Sequence, residues 1–206
     1  NGGTLVCPTA SVTAFNNAVP TGFTTTAGTG AGTISMNAAT AKTFVGGSIT
    51  YTATLNQGGV GKLTITGTNT LTNITNTYSA TGATSIRLTS GTTQTLTSFT
   101  ASGASAKLLT IDSTTPGSQG TLSLSSGTTN VDYLSVLDTA FTPAPASDGS
   151  VPYVWYLGAN SVNNGNNTGG LFQPGGAGAI KVYQVTTGSS WFIPYDFNTT
   201  NNTNNT

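Results

Sequence analysis

Apolar residues recur along this chain at a nearly fixed interval. Ile65, Leu88, Ile111 and Leu134 follow one another at steps of 23 residues. A second series, Tyr51, Ile74, Phe99 and Leu122, advances by 23, 25 and 23. Around these positions apolar and polar residues alternate, as in Lys62-Leu63-Thr64-Ile65-Thr66 and Ser85-Ile86-Arg87-Leu88-Thr89. In Lys107-Leu108-Leu109-Thr110-Ile111 the apolar residues also fall at spacing two. A spacing of two is that of a strand with one buried face. Two such series advancing together at one period are the pattern of a solenoid, in which each coil shares its interior with the next.

The intervening segments carry turn chemistry: Gly58-Gly59-Val60-Gly61, Ser90-Gly91-Thr92-Thr93 and Thr115-Pro116-Gly117-Ser118. Asn69, Asn73 and Asn76 fall near the expected corners, where an amide can bond the backbone. Strong helix formers are scarce and the 27 glycines disfavour helices, whereas Thr suits a pleated surface. The expected fold is therefore all-β, a right-handed parallel β-helix of about four to five coils between residues 33 and 138. The alternative is an antiparallel β-sandwich, since strands every 8–12 residues or so also fit that class.

Outside the repeat the texture changes. Residues 1–32 are rich in Thr, Ala and Gly, and read as an N-terminal attachment segment. Residues 33–170 form the solenoid with a cap, the cap being the aromatic cluster at 151–157 that covers open strand edges. Residues 171–206 comprise a Gly-rich linker, a short β-hairpin at 180–197 and a polar tail. The chain begins at Asn1 and ends in Asn-Thr repeats, from which we expect a processed protein or an ordered fragment of a longer one.

Composition narrows the chemistry. Charged residues make up 5% of the chain, against roughly a quarter in an average domain. The acids are Asp112, Asp132, Asp138, Asp148 and Asp196; the bases are Lys42, Lys62, Arg87, Lys107 and Lys181. Five scattered cations argue against nucleic acid, which needs clustered Lys and Arg. No apolar run approaches the ~20 residues of a membrane-spanning helix. Whole-chain disorder is disfavoured by 35% hydrophobic residues gathered in short bounded runs. Cys7 is the single cysteine, so no internal disulfide or cysteine-based metal site is expected; an intermolecular bridge is the alternative to an inert thiol.

With no His, a nucleophilic triad lacks its usual base. The best carboxylate pair for glycoside hydrolysis is Asp132 with Asp138, against the plainer reading that both terminate strands. The loop at 160–168 offers amides but no carboxylate, so no metal or cofactor is expected. Tyr153, Trp155 and Tyr156 beside Asn163 and Asn166 have the chemistry of a glycan contact, against the reading of the aromatics as a cap. Asn-x-Thr sequons stand at Asn73, Asn166, Asn198, Asn201 and Asn204.

The run Leu109-Thr110-Ile111-Asp112-Ser113-Thr114-Thr115-Pro116-Gly117-Ser118 is followed by Val131-Asp132-Tyr133-Leu134-Ser135-Val136. Then come Trp155-Tyr156-Leu157-Gly158-Ala159-Asn160-Ser161 and Gly165-Asn166-Asn167-Thr168-Gly169. Together they resemble β-helical segments of bacteriophage tail-fibre and other virion surface proteins, and of some bacterial surface proteins. Gly188-Ser189-Ser190-Trp191-Phe192-Ile193-Pro194 resembles the lead-in to Gly-rich tip domains of phage fibres. Gly170-Leu171 departs from the pattern, which has an aromatic there. The resemblance covers about residues 30–197 and implies a virion or cell surface; it carries no catalytic residue.

The expected function is thus non-enzymatic: a tail-fibre or spike segment or a capsid decoration protein. Its partners would be copies of itself, as in a homotrimer, other virion proteins, and a host surface glycan. A subunit of a cellular surface filament or adhesin is the alternative, and a polysaccharide depolymerase comes third.

Overall fold

In strand after strand, Ile, Leu or Phe alternates with Thr or Ser, and this decides which side turns inward. The computed structural model describes the backbone of residues 4–6 and 13–16, and residues 32–145 and 154–173 in full. Among these residues there is no helix.

One seven-stranded sheet, here the first sheet, comprises β1 (Thr4–Val6), β3 (Gly32–Met36), β5 (Ala53–Gln57), β7 (Asn69–Asn76), β9 (Thr93–Phe99), β11 (Gly120–Leu124) and β14 (Thr139–Thr142), in that order. The second sheet comprises β2 (Thr13–Asn16), β4 (Lys42–Val45), β6 (Leu63–Thr66), β8 (Thr84–Leu88), β10 (Leu109–Ser113), β13 (Leu134–Val136) and β16 (Val162–Asn163). A third, two-stranded sheet joins β12 (Thr129–Asn130) to β15 (Trp155–Tyr156). Every ladder between these strands is parallel. The chain is a right-handed β-solenoid of about five turns, and the parallel ladders eliminate the antiparallel sandwich.

Ile65, Leu88, Ile111 and Leu134 all lie in the second sheet with their side chains inside. Their register differs from a uniform 23. Ile65 pairs with Leu88, but Leu88 pairs with Ser113 and Ile111 with Val136, each a step of 25. In the step from Leu88 to Ser113 the additional residues lie between β8 and β9, where Leu88 to Gln94 spans six positions against four from Ile65 to Asn69 on the coil before. A slip of two leaves the buried face buried, which is why the alternation survives. In the first sheet, Ile74 stacks on Phe99 as expected, but Leu55, not Tyr51, precedes it, and Leu122 sits on Gln94.

The interior is built from columns of like residues. Ile34, Leu55, Ile74 and Phe99 stack in one, and Leu71, Leu96 and Leu124 in another. All are buried, each contributing about 1.5–3 kcal/mol by leaving water. In β7 the inward–outward alternation loses phase at Thr72 and Asn73, and in β9 at Thr97 and Ser98. There each strand turns a corner from one face of the solenoid to the next.

Corners are fixed by amides. The Asn69 side chain donates to Thr66 O (2.9 Å) and to Gln94 Oε1 on the next coil (2.8 Å), while Gln94 donates to Gly67 O (2.8 Å). Gly67 adopts φ 78°, a left-handed turn that favours glycine. Asn76 donates to Ser102 O, as expected of a corner Asn, whereas Asn73 bonds the Thr100 hydroxyl. Lys42 lies in the inward column of the second sheet, and its ammonium donates to Ala38 O, Gly59 O and Gly61 O.

Two expected boundaries differ. Residues 1–32 contribute the outermost strand to each large sheet, so the ladders begin ahead of residue 33. The expected cap is a rung of the solenoid: β15 lies on β12, and the chain then adds Thr168 beside Ala140 and Leu171 beside Tyr156. The expected hairpin at 180–197, Cys7, and the sequons at Asn198, Asn201 and Asn204 lie outside the described residues.

Candidate functional surface

The residues singled out for glycan contact are not brought together. Trp155 is 0% exposed, with Phe99 at 5.6 Å and Phe141 at 5.0 Å between ring centres, and its indole N–H donates to Thr142 O at 2.7 Å. Both ring faces belong to the core, so the expectation that Trp155 contacts a glycan is corrected: an inward position on β15 offers no ring to a sugar. Tyr156 points to the other side of that strand and is half-buried. Asn163 belongs to the second sheet, and its Oδ1 accepts from Gly165 N and the Asn167 amide. Asn166 sits in the following turn at φ 49° and donates to Asp138 Oδ1 at 2.7 Å. Tyr153 lies outside the described residues.

The two carboxylates flanking β13 are each engaged in a turn. Asp132 accepts from Tyr133 N (2.8 Å), Asn160 N (2.9 Å) and the Asn160 side chain (2.7 Å). Burial pushes this carboxyl up, but the hydrogen bonds from Asn160 and Tyr133 outweigh it and hold it below its ordinary value. Gly158, at φ 85°, leaves the room this contact needs: a Cβ there would lie 2.1 Å from Asp132 Oδ1. Asp138 is buried and accepts from Gly117 N (3.0 Å) and Asn166. These bonds join successive coils and leave neither carboxylate facing an open cleft. Among the described residues no three of His, Cys, Asp and Glu cluster as a metal site.

The outside of the first sheet is the most regular surface. Register places Thr68, Thr93, Thr121, Ala140 and Thr168 in one column. Thr50, Thr70, Thr95, Ser123 and Thr142 form the column beside it. Inward neighbours on these strands, such as Leu71, Gln94, Leu96, Leu122 and Phe141, are all buried, so the hydroxyl residues face outward. Within a column the spacing is that of adjacent strands, about 4.8 Å; between columns it is two residues of strand, about 6.6 Å. Neither column holds a charge or a large apolar residue. The hydroxyls of Thr70, Thr95, Thr121 and Ser123 have no hydrogen-bond partner among the described residues and must be hydrated. Sequence reasoning missed this surface because the steps between coils range from 19 to 28 residues, with no fixed period.

The outside of the second sheet is irregular. Thr43, Thr64, Arg87 and Asp112 form one column, in which Arg87 Nε donates to Asp112 Oδ1 at 2.9 Å and Nη2 to Oδ2. No protein-family model matches the chain, and neither a curated protein nor a solved structure matches it.

Proposed function

We propose that this chain is a non-enzymatic surface protein of a virion, a tail-fibre or spike segment or a capsid decoration protein. Its product is a rigid, patterned face for assembly or host attachment. The observation that carries this reading is the paired hydroxyl columns on the first sheet, backed by a solenoid that bonds coil to coil. The resemblance of residues 109–118, 131–136 and 155–169 to phage surface segments supports the location. A parallel solenoid pairs its backbone internally, and so few charges make its surface insensitive to salt.

Two observations support a mechanical rather than chemical role. Asp132 and Asp138 are tied into turns, and the aromatic Trp155 is in the core. The cellular-filament reading draws on Asn166, which is exposed within an Asn-x-Thr sequon; it predicts a glycan mass on that residue in protein from its native source. The test of the leading reading is immunogold labelling of purified particles with antibody against residues 33–170. Regular decoration of tails or capsids is expected. Unlabelled particles, with the protein recovered from cell envelopes, would remove the virion assignment.

A further inference from the structure

The two hydroxyl columns form a lattice rather than a patch. Thr is stiff at χ1, so backbone register fixes hydroxyl and methyl positions together. Nine of the ten positions named in the two columns carry a hydroxyl, with Ala140 the exception. Four inter-strand steps give each column a length of about 19 Å, with about 6.6 Å across to its neighbour. These repeats lie close to the two oxygen spacings on a prism face of hexagonal ice. A neutral lattice of water calls for a neutral partner, and these columns carry no charge. Carbohydrate sites usually add aromatic rings, and neither column has one.

We infer that the outer face of the first sheet binds ice, with the Thr68–Thr168 and Thr50–Thr142 columns holding their hydration water in register with the ice lattice. The hydroxyls of Thr70, Thr95, Thr121 and Ser123 must bind water in any case, having no partner among the described residues. Where those waters already sit at lattice spacing, joining the crystal immobilises few further molecules, and ordering each water otherwise costs up to about 2 kcal/mol. The face of the second sheet cannot do the same, because Arg87 and Asp112 interrupt its columns with an ion pair. The inference takes the hydroxyl face as the working surface, as the proposed function does, but requires no virion. A chain absent from virions that still shapes ice would separate the two.

The test uses the full chain in a growing-ice assay scored by crystal shape and by inhibition of recrystallisation. The wild type should give faceted crystals. T95Y/T121Y, which places two bulky rings at the centre of the lattice, should lose at least about tenfold in potency. T110Y, on the outside of the second sheet, should keep the wild-type value, and all three proteins should melt alike by circular dichroism. Rounded crystals from folded wild type would overturn the inference, as would equal losses in T95Y/T121Y and T110Y. Binding to insoluble cellulose or chitin that T95Y/T121Y abolishes, without an effect on ice, would overturn it in favour of a glycan.

Discussion

The two large sheets share one interior and differ on the outside. The first presents two columns of hydroxyls with a single alanine among the named positions; the second presents Thr43 and Thr64, then the Arg87–Asp112 pair. Both outer faces sit on parallel strands over columns of buried Leu and Ile. Folding therefore does not explain the difference, since either surface satisfies a strand exposed on one side. An uncharged, regular face beside an ion-paired one is what a division between working surface and supporting surface would produce.

The largest expected effect falls on what both faces share. Leu96→Ala removes a fully buried side chain between Leu71 and Leu124 and should cost about 2–5 kcal/mol in denaturant unfolding. Because the interior is common, protection from hydrogen exchange should fall in β9 and in β8 alike. Loss confined to one sheet would break the picture of a shared core.

Lys42 gives the second sheet a pH dependence that the first lacks. Burial lowers its pKa to about 8 from 10.5. Below about pH 8 the amine is charged in both the folded and unfolded chains. Between about 8 and 10.5 the unfolded chain binds the proton and the folded chain does not, so stability rises with pH across that window. Each unit of the shift is worth about 1.36 kcal/mol. Lys42→Met should remove the rise, leaving three carbonyls without their donor. A rise of equal size in that variant would assign it to another group.

A smaller effect is specific to the first sheet. Asn69→Leu strands Ser48 N and Gln94 Oε1, and should cost about 1–3 kcal/mol, with exchange protection lost first around Thr68 and Thr70. The smallest lies on the second face. A double-mutant cycle on Arg87 and Asp112 should give about 1 kcal/mol or less, declining with added salt, because the pair is partly exposed.

Much of this fold was legible. Spacing-two alternation around Ile65, Leu88, Ile111 and Leu134 identified four strands of one sheet, because only a stacked interior needs the same face buried at each recurrence. The exact partners were not legible, because turn length is unconstrained by the core: the turn between β8 and β9, where Thr92 N donates to Thr89 O, adds two residues without changing which side faces in. The same freedom concealed the hydroxyl columns, where Thr93 to Thr121 is a step of 28 and Thr121 to Ala140 one of 19. Trp155 read as a cap or a sugar platform because two residues of β15 are too few to show a period; only pairing with β12 turns its ring inward. The plainer reading of Asp132 and Asp138 as strand terminators matches their turns, with Asp138 at φ 51° and Tyr133, next to Asp132, at φ 58°.

The contrast between the two faces is tested most directly by growing a single ice crystal in dilute, fluorescently labelled protein and recording which planes take up the label. The hydroxyl face predicts staining of prism planes by the wild type and by T110Y, and none by T95Y/T121Y. An unstained crystal, or staining lost in T110Y but kept in T95Y/T121Y, would contradict the assignment of the first sheet as the working surface.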